Sequence, residues 1–252
     1  MSRNTLISVK HLSKSFGSKK VLSDINFNVV KGESFVVIGG SGSGKSVLLK
    51  CIAGLLDPDE NSKVTIKDEN VTHMHIIERK NFLKKFSMLF QNNALFDSLP
   101  IWHNICFSLI NSGVLDSAKA KEHAVEKLEL VGLKTDVLDL YPSELSGGMQ
   151  KRVAIARAIA TNPEIIFFDE PTSGLDPIMS DTITTLIASI SEKLKSTTIT
   201  ITHDIKVMEK IADKVSLLKD GKLIWVDSLK NTLASEDTYV KLFLNTHTPL
   251  VN

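Results

Sequence analysis

No apolar run in this chain reaches the roughly 20 residues that a helix needs to cross a bilayer, so the sequence predicts no membrane span of its own. Met1–Lys10 also lacks the apolar core of a secretory leader. Cysteine is scarce. The only two, Cys51 and Cys106, read as core filler in a reduced, cytosolic protein rather than as ligands or a disulfide. Neither sign of charge dominates: Lys and Arg total 30 against 29 Asp and Glu, for a formal net charge of +1. Such a balance gives no broad basic field for wrapping nucleic acid. Internal repeats, low-complexity tracts and long Pro/Gly/Ser linkers are missing as well, which excludes solenoids and flexible tethers.

What is present is a chain of 252 residues, 42% hydrophobic, enough for one large domain with a proper core. Leu6–Leu12 and Val21–Val30 read as strands, the second with Val21, Ile25, Phe27 and Val29 set to face inward. Ser34–Ile38, Ile165–Phe168 and Thr197–Ile201 are short apolar runs of the buried-strand type. Lys45–Ala53 reads as a helix stopped by Gly54, and Pro177–Leu194 as another. Val215–Leu218 and Leu223–Val226 flank Asp220-Gly221, a hairpin turn signal. From about residue 92 to 160 helical patterns dominate, notably Ala118–Val131 and Gly147–Ala160. Strands alternating with helices predict an α/β core with a mainly parallel sheet, joined by an N-terminal antiparallel β-subdomain and an inserted helical subdomain.

One segment carries chemistry on its own. Gly39-Gly40-Ser41-Gly42-Ser43-Gly44-Lys45-Ser46 fits the phosphate-loop pattern G-x-x-x-x-G-K-[ST] between a strand and a helix. Glycines let backbone N–H groups close around phosphate oxygens where a side chain would block approach. Lys45 supplies a cation for the β- and γ-phosphates, and the Ser46 hydroxyl can complete a Mg²⁺ shell. The positive end of the following helix points at the same anion. The predicted ligands are therefore ATP and Mg²⁺.

A second segment narrows the family. Leu145-Ser146-Gly147-Gly148-Met149 precedes Gln150-Lys151-Arg152-Val153-Ala154-Ile155-Ala156-Arg157-Ala158. Ser146 can cap a helix whose N–H groups, cleared by Gly147 and Gly148, receive an anion. This segment resembles the LSGGQ signature of ABC ATPases, and the resemblance runs from about Leu6 to Val226. It implies a P-loop NTPase of the ABC type: a single ATPase domain over residues 1–246, the helical subdomain of about 92–160 inserted in it, and a C-terminal tail from 236 to 252. Ile165–Phe168 with Asp169 and Glu170 is similar to Walker B, which implies that Asp169 holds the metal and Glu170 polarises the attacking water. Ser173-Gly174-Leu175-Asp176 resembles the D-loop, His203 the switch histidine that contacts the γ-phosphate, and Gln91 the Q-loop glutamine that senses γ-phosphate and metal. Phe16 sits where the family places an aromatic ring against adenine. Three positions depart from the family pattern: Val47 in place of a Thr near the α-phosphate, Gly40 in place of Pro, and Met149 in place of Gln.

In the family two copies close head to tail over ATP, which implies a homodimer serving a separate integral membrane permease. Phe90–Leu99, Tyr141–Met149 and Glu170–Ile178 look most like the ATPases of Mla-type bacterial phospholipid transporters, which work with a permease and an MCE-domain lipid-binding protein. That resemblance implies a peripheral subunit on the cytoplasmic face of the bacterial inner membrane, moving phospholipid between membranes. A polar-solute transporter would carry the same catalytic residues. A soluble ABC ATPase acting on nucleic acid would bring a long coiled coil or tandem cassettes, which the chain lacks. Leu95, Phe96, Leu99 and Trp102 form the candidate surface for a permease's coupling helix. Tyr239–Leu244 has helical spacing and is expected to pack on this or a neighbouring ATPase subunit. His73 and His75 would share one face of a strand, but no third ligand stands near, and a solvated loop is expected.

Overall fold

The computed structural model describes residues 5–75, 78, 79, 82 and 86–246. In chain order the elements begin with β1 (Thr5–Phe16), β2 (Lys19–Val30), β3 (Ser34–Ile38), α1 (Lys45–Ile52), β4 (Lys63–Ile66), β5 (Glu69–Asn70) and β6 (Phe86–Leu89). Then come α2 (Ile101–Asn111), α3 (Ser117–Leu130), α4 (Gly147–Ile159), β7 (Ile165–Asp169) and α5 (Pro177–Leu194). The chain closes with β8 (Thr197–Thr202), α6 (Ile205–Ile211), β9 (Lys214–Lys219), β10 (Lys222–Ser228), α7 (Leu229–Leu233) and α8 (Thr238–Thr246). They form two compact units, residues 1–85 with 196–252, and residues 86–195.

In the first unit β1 and β2 make an antiparallel hairpin, and β4 joins the other side of β1. Ile7, Val9 and Leu12 of β1 bury with Ile25, Phe27 and Val29 of β2. The expected inward face needs one correction: Leu22 is fully buried, and Val21 only half. Asp24 adopts φ 51, and the register shifts between the pairs Leu12↔Ile25 and Lys14↔Leu22. A bulge of this kind flips the side-chain alternation behind it, which period-two reading cannot foresee.

The same unit holds a second sheet, in which β3 lies between β8 and β9, parallel to both, and β10 returns antiparallel to β9. Phe35–Ile38 and Thr197–Thr202 are buried along their whole length, as strands covered on both faces must be. The β9–β10 turn has Asp220 at φ 47 and Gly221 at φ 74, the backbone of a tight hairpin. Helix α8 seals one face: Val240 and Phe243 pack with Val36, Ile38, Ile205, Met208 and Leu217. Lys219 adds its ammonium over the Tyr239 ring at 3.8 Å.

In the second unit β6 and β7 pair in parallel, and helices α2, α3 and α4 contribute Ile101, Ile105, Ala124, Leu128, Val153 and Ile159 to a common core. Helix starts are marked by side chains that accept from backbone N–H groups, Asp116 for α3 and Asp176 for α5, the latter with Pro177 in the first turn. Both cysteines are buried core residues, one in each unit. The chain is thus mixed α/β, with an antiparallel sheet, mainly parallel pairing in the strands that carry the motifs, and inserted helices. No helix among the described residues is long and apolar enough to cross a membrane. His73 and His75 lie exposed in a loop after β5, His73 at φ 57, so they share no strand face.

Candidate active site

Ile38 ends β3 opposite Thr202, the end of β8, and opposite Leu217 in β9. The phosphate loop and His203 therefore leave neighbouring parallel strands at the same carboxyl edge, where open α/β sheets collect ligands. Gly39 is buried against β9: a Cβ there would meet the Leu218 carbonyl oxygen at 2.3 Å. Gly42 and Gly44 hold φ 75 and φ 105, in the region that side chains avoid. Helix α1 starts at Gly44 with no side-chain cap, unlike α3, α4 and α5. Its leading N–H groups are thus not covered by an acceptor from the N-cap side chain. The Lys45 ammonium lies in the loop, donating to the carbonyl oxygens of Gly39 at 2.8 Å and Gly40 at 3.0 Å. Ser43 Oγ is buried and finds no hydrogen-bond partner among the described residues. An orphaned hydroxyl, a backbone cradle and a helix N-terminus suit a polyphosphate. Ser41 is exposed beside Gly40, while Ser46 and Val47 are half-buried in the first turn of α1.

His203 stands exposed between the end of β8 and Asp204, whose carboxylate accepts from Lys206 N to start α6. Phe16 closes β1 with half its surface exposed and the Lys14 ammonium 5.2 Å from its ring centre. An exposed ring at a strand end is available for stacking.

The other motifs gather in the second unit. Leu89 of β6 pairs with Phe168 of β7, so Gln91 and the Asp169-Glu170 pair follow adjacent strand ends. Asp169 and Glu170 are both buried, at 5% and 9% exposure. Glu170 adopts φ 46, a left-handed conformation that costs a non-glycine residue about 1 kcal/mol or more. Gln91 is exposed, and its Nε2 donates to Ser173 Oγ at 3.1 Å, joining the Q-loop to the D-loop segment. Ser146 caps α4 by accepting from Met149 N at 3.4 Å. Gly147 is exposed, while Gly148 lies against the flexible Met179 thioether of α5.

Sequence reading missed the residues that hold the Q-loop. Lys151 of α4, only 2% exposed, donates to the Gln91 carbonyl oxygen at 2.9 Å. Burial pushes its pKa down to about 8. Arg157, two turns further, donates to the carbonyl oxygens of Asn93 and Ala94, both at 2.6 Å. Burial lowers its pKa as well. Asn93 and Ala94 sit at φ 58 and φ 51, an irregular path that those two bonds hold in place. Asn104, wholly buried in α2, ties the next stretch by accepting from Phe96 N and donating to Phe96 O and Leu99 O. The available signal was helical periodicity: Lys151 shares the face of Ile155 and Ala158, where a cation needs a partner. On the expected coupling surface Phe96 is 41% exposed and packs on Phe107, whereas Leu95, Leu99 and Trp102 are half-buried.

A parallel-stranded α/β unit with a glycine phosphate loop at its carboxyl edge defines a P-loop nucleotide-binding protein. Comparison with known proteins refines this. Residues 22–173 match the family model described as ABC transporter. The "Probable ribonucleotide transport ATP-binding protein mkl" of Mycobacterium leprae is 35% identical over 97% of this chain and 70% of its own length. The "Methionine import ATP-binding protein MetN" of Carboxydothermus hydrogenoformans is 39% identical over 87% of this chain and 65% of its own. The chain thus spans about two thirds of the length of these curated relatives. A dimeric ATP-binding cassette solved in a post-hydrolysis state with ADP and Pi superposes with a TM-score of 0.81 at 32% identity, covering 89% of this chain and 99% of that one. The chain belongs to the ABC transporter family, as an ATP-binding and ATP-hydrolysing subunit.

Proposed function

We propose that this subunit works as a homodimer on a separate membrane permease, and that the cargo is phospholipid. In this reading Gly39–Gly44 and Lys45 hold the phosphates, Phe16 stacks on adenine, and Val47 lies beside the α-phosphate. Ser46, Gln91 and Asp169 supply oxygens for Mg²⁺, which neutralises charge on the phosphate oxygens when bound. Glu170 polarises the attacking water and His203 contacts the γ-phosphate. Ser146, Gly147 and Gly148 of a second copy offer the capped start of α4 to the same γ-phosphate. ATP then favours the closed pair, and loss of the γ-phosphate favours opening.

The lipid reading rests on family resemblance, while the apolar stretch after Gln91 supports docking on a permease. Phe96 is exposed there, and Asn104 holds it at the head of α2. In sequence that stretch and Tyr141–Met149 resemble Mla-type ATPases, whose partners are a permease and an MCE-domain protein at the inner membrane. A second reading, import of a polar solute, is favoured by the names of the relatives, one for ribonucleotide transport and one for methionine import. Gentle detergent purification of the tagged chain from its native membranes, with mass spectrometry of proteins and lipids, separates the two. A permease with an MCE-domain protein and bound phospholipid supports the first. A permease with a solute-binding protein sinks it and leaves the ATPase standing.

A further inference from the structure

Lys151 is a buried cation that the ATPase chemistry leaves unused. Among the described residues its ammonium meets a neutral acceptor, the carbonyl oxygen of Gln91, and no carboxylate. A charge buried on a carbonyl dipole alone is a poor way to stabilise a fold, since an apolar side chain of similar volume would pack there at less cost. The contact is better explained by what it joins. Lys151 lies one turn into α4, which is capped by Ser146 and opens with Gly147 and Gly148. Gln91 in turn reaches Ser173 of the D-loop segment through its side chain. Arg157, on the same helix, holds two residues further along the loop by the Asn93 and Ala94 carbonyls.

We propose that Lys151 is a positioning residue which fastens the backbone of Gln91 to α4, so that the Q-loop glutamine and the anion-receiving start of that helix move as one body. This rests on the roles given above to Gln91 and to Ser146–Gly148. Arg157 reinforces the link, with Lys151 at its catalytic end. Depressed basicity at Lys151 agrees with a buried contact. A loose Gln91 would leave the phosphate loop's own contacts intact, because that loop is built from residues 39–46 of the other unit. It would lower the turnover that follows binding.

The test compares the full-length chain with Lys151→Met, which keeps the bulk and removes the donor, and Lys151→Gln, which keeps a donor on a side chain one bond shorter. Hydrogen exchange of peptides spanning residues 88–98, melting temperature, binding of a non-hydrolysable ATP analogue, and kcat with KM for ATP are measured on each. Lys151→Met is expected to melt no lower than wild type at neutral pH and to keep its analogue affinity. Its 88–98 peptides should exchange about tenfold faster, with kcat about tenfold lower at unchanged KM, and Lys151→Gln should recover part of both. A folded Lys151→Met with wild-type exchange in this segment overturns the proposal, as does wild-type kcat. A wild-type chain that hydrolyses no ATP would sink the ATPase reading instead, and the exchange data would still decide the role of Lys151.

Discussion

Gly39 and Gly40 are neighbours in the phosphate loop, yet the structure gives them opposite tolerances. A Cβ on Gly39 would lie 2.3 Å from the Leu218 carbonyl oxygen and 2.9 Å from Ser43 Oγ, where ordinary contacts begin near 3.4 Å. The first obstacle is backbone in β9, a buried strand that cannot swing aside. A Cβ on Gly40 meets nothing within 4 Å. Neither residue has positive φ, so the difference is steric alone. Overpacking of this kind costs typically about 1–3 kcal/mol. If the strain stays in the fold, Gly39→Ala melts roughly 2–12 °C lower, at about 2–4 °C per kcal/mol for a chain this long. If the loop instead moves away from β9, the strain appears as weaker nucleotide binding, at about tenfold per 1.4 kcal/mol. Differential scanning fluorimetry with and without a non-hydrolysable ATP analogue reads both channels, and Gly40→Ala is the matched control. Steric reasoning at this loop fails if Gly39→Ala matches wild type in both, or if Gly40→Ala is hit equally hard.

Glu170→Gln should bind ATP as wild type does and lose nearly all turnover, since it keeps shape and burial but not the base; steady-state hydrolysis at the wild-type rate would remove Glu170 from that role. Cys51 and Cys106 are buried, and desolvation pushes their thiols up to about 12 and about 11. Native protein at pH 8 should therefore show no fast thiol with an aromatic disulfide reagent and two after denaturation. Lys151 has a folded pKa of about 8 against 10.5 for an exposed lysine, so the unfolded chain binds more protons between those values. The stability this group withholds at neutral pH is returned as pH rises from about 8 toward 10.5. Lys151→Met should accordingly lose ground to wild type in melting temperature across that window, and a constant difference would contradict the assigned basicity.

The elements legible in the sequence were those whose local signals agree with their tertiary setting. Ser34–Ile38 and Pro177–Leu194 are found with those bounds, the first a short apolar run closed by glycines, the second opened by Asp176 and Pro177. The glycine-rich turn between β3 and α1 was readable because its signal is written in contiguous residues. β4 and β5 were not, because Lys63–Ile66 and Glu69–Asn70 are too short to carry a period; β4 exists through pairing with a distant β1, and β5 through pairing with β4. The inward turn of Leu22 depended on a bulge at Asp24 that composition does not announce. Lys151, Arg157 and Asn104 hold loops through backbone carbonyls, and a carbonyl partner leaves no mark in the sequence of either side.

The three departures from the family pattern can be ranked by the same distinction. At Gly40 the contribution seen is a carbonyl oxygen accepting from Lys45, and at Met149 it is a backbone N–H donated to Ser146. Any residue supplies the carbonyl and any but proline the N–H, so neither side chain is needed for the contact. Val47 differs, because what it lacks is a side-chain hydroxyl in the first turn of α1, at a half-buried position. One neutral hydrogen bond contributes about 0.5–1.5 kcal/mol. Val47→Thr should then tighten ATP-analogue binding by roughly two- to twelvefold, as that free energy converts. Met149→Gln should leave the α4 cap and the affinity of the isolated subunit unchanged. Titration calorimetry on the two variants separates the cases. An affinity gain at Met149→Gln with none at Val47→Thr would place the nucleotide somewhere other than along the first turn of α1.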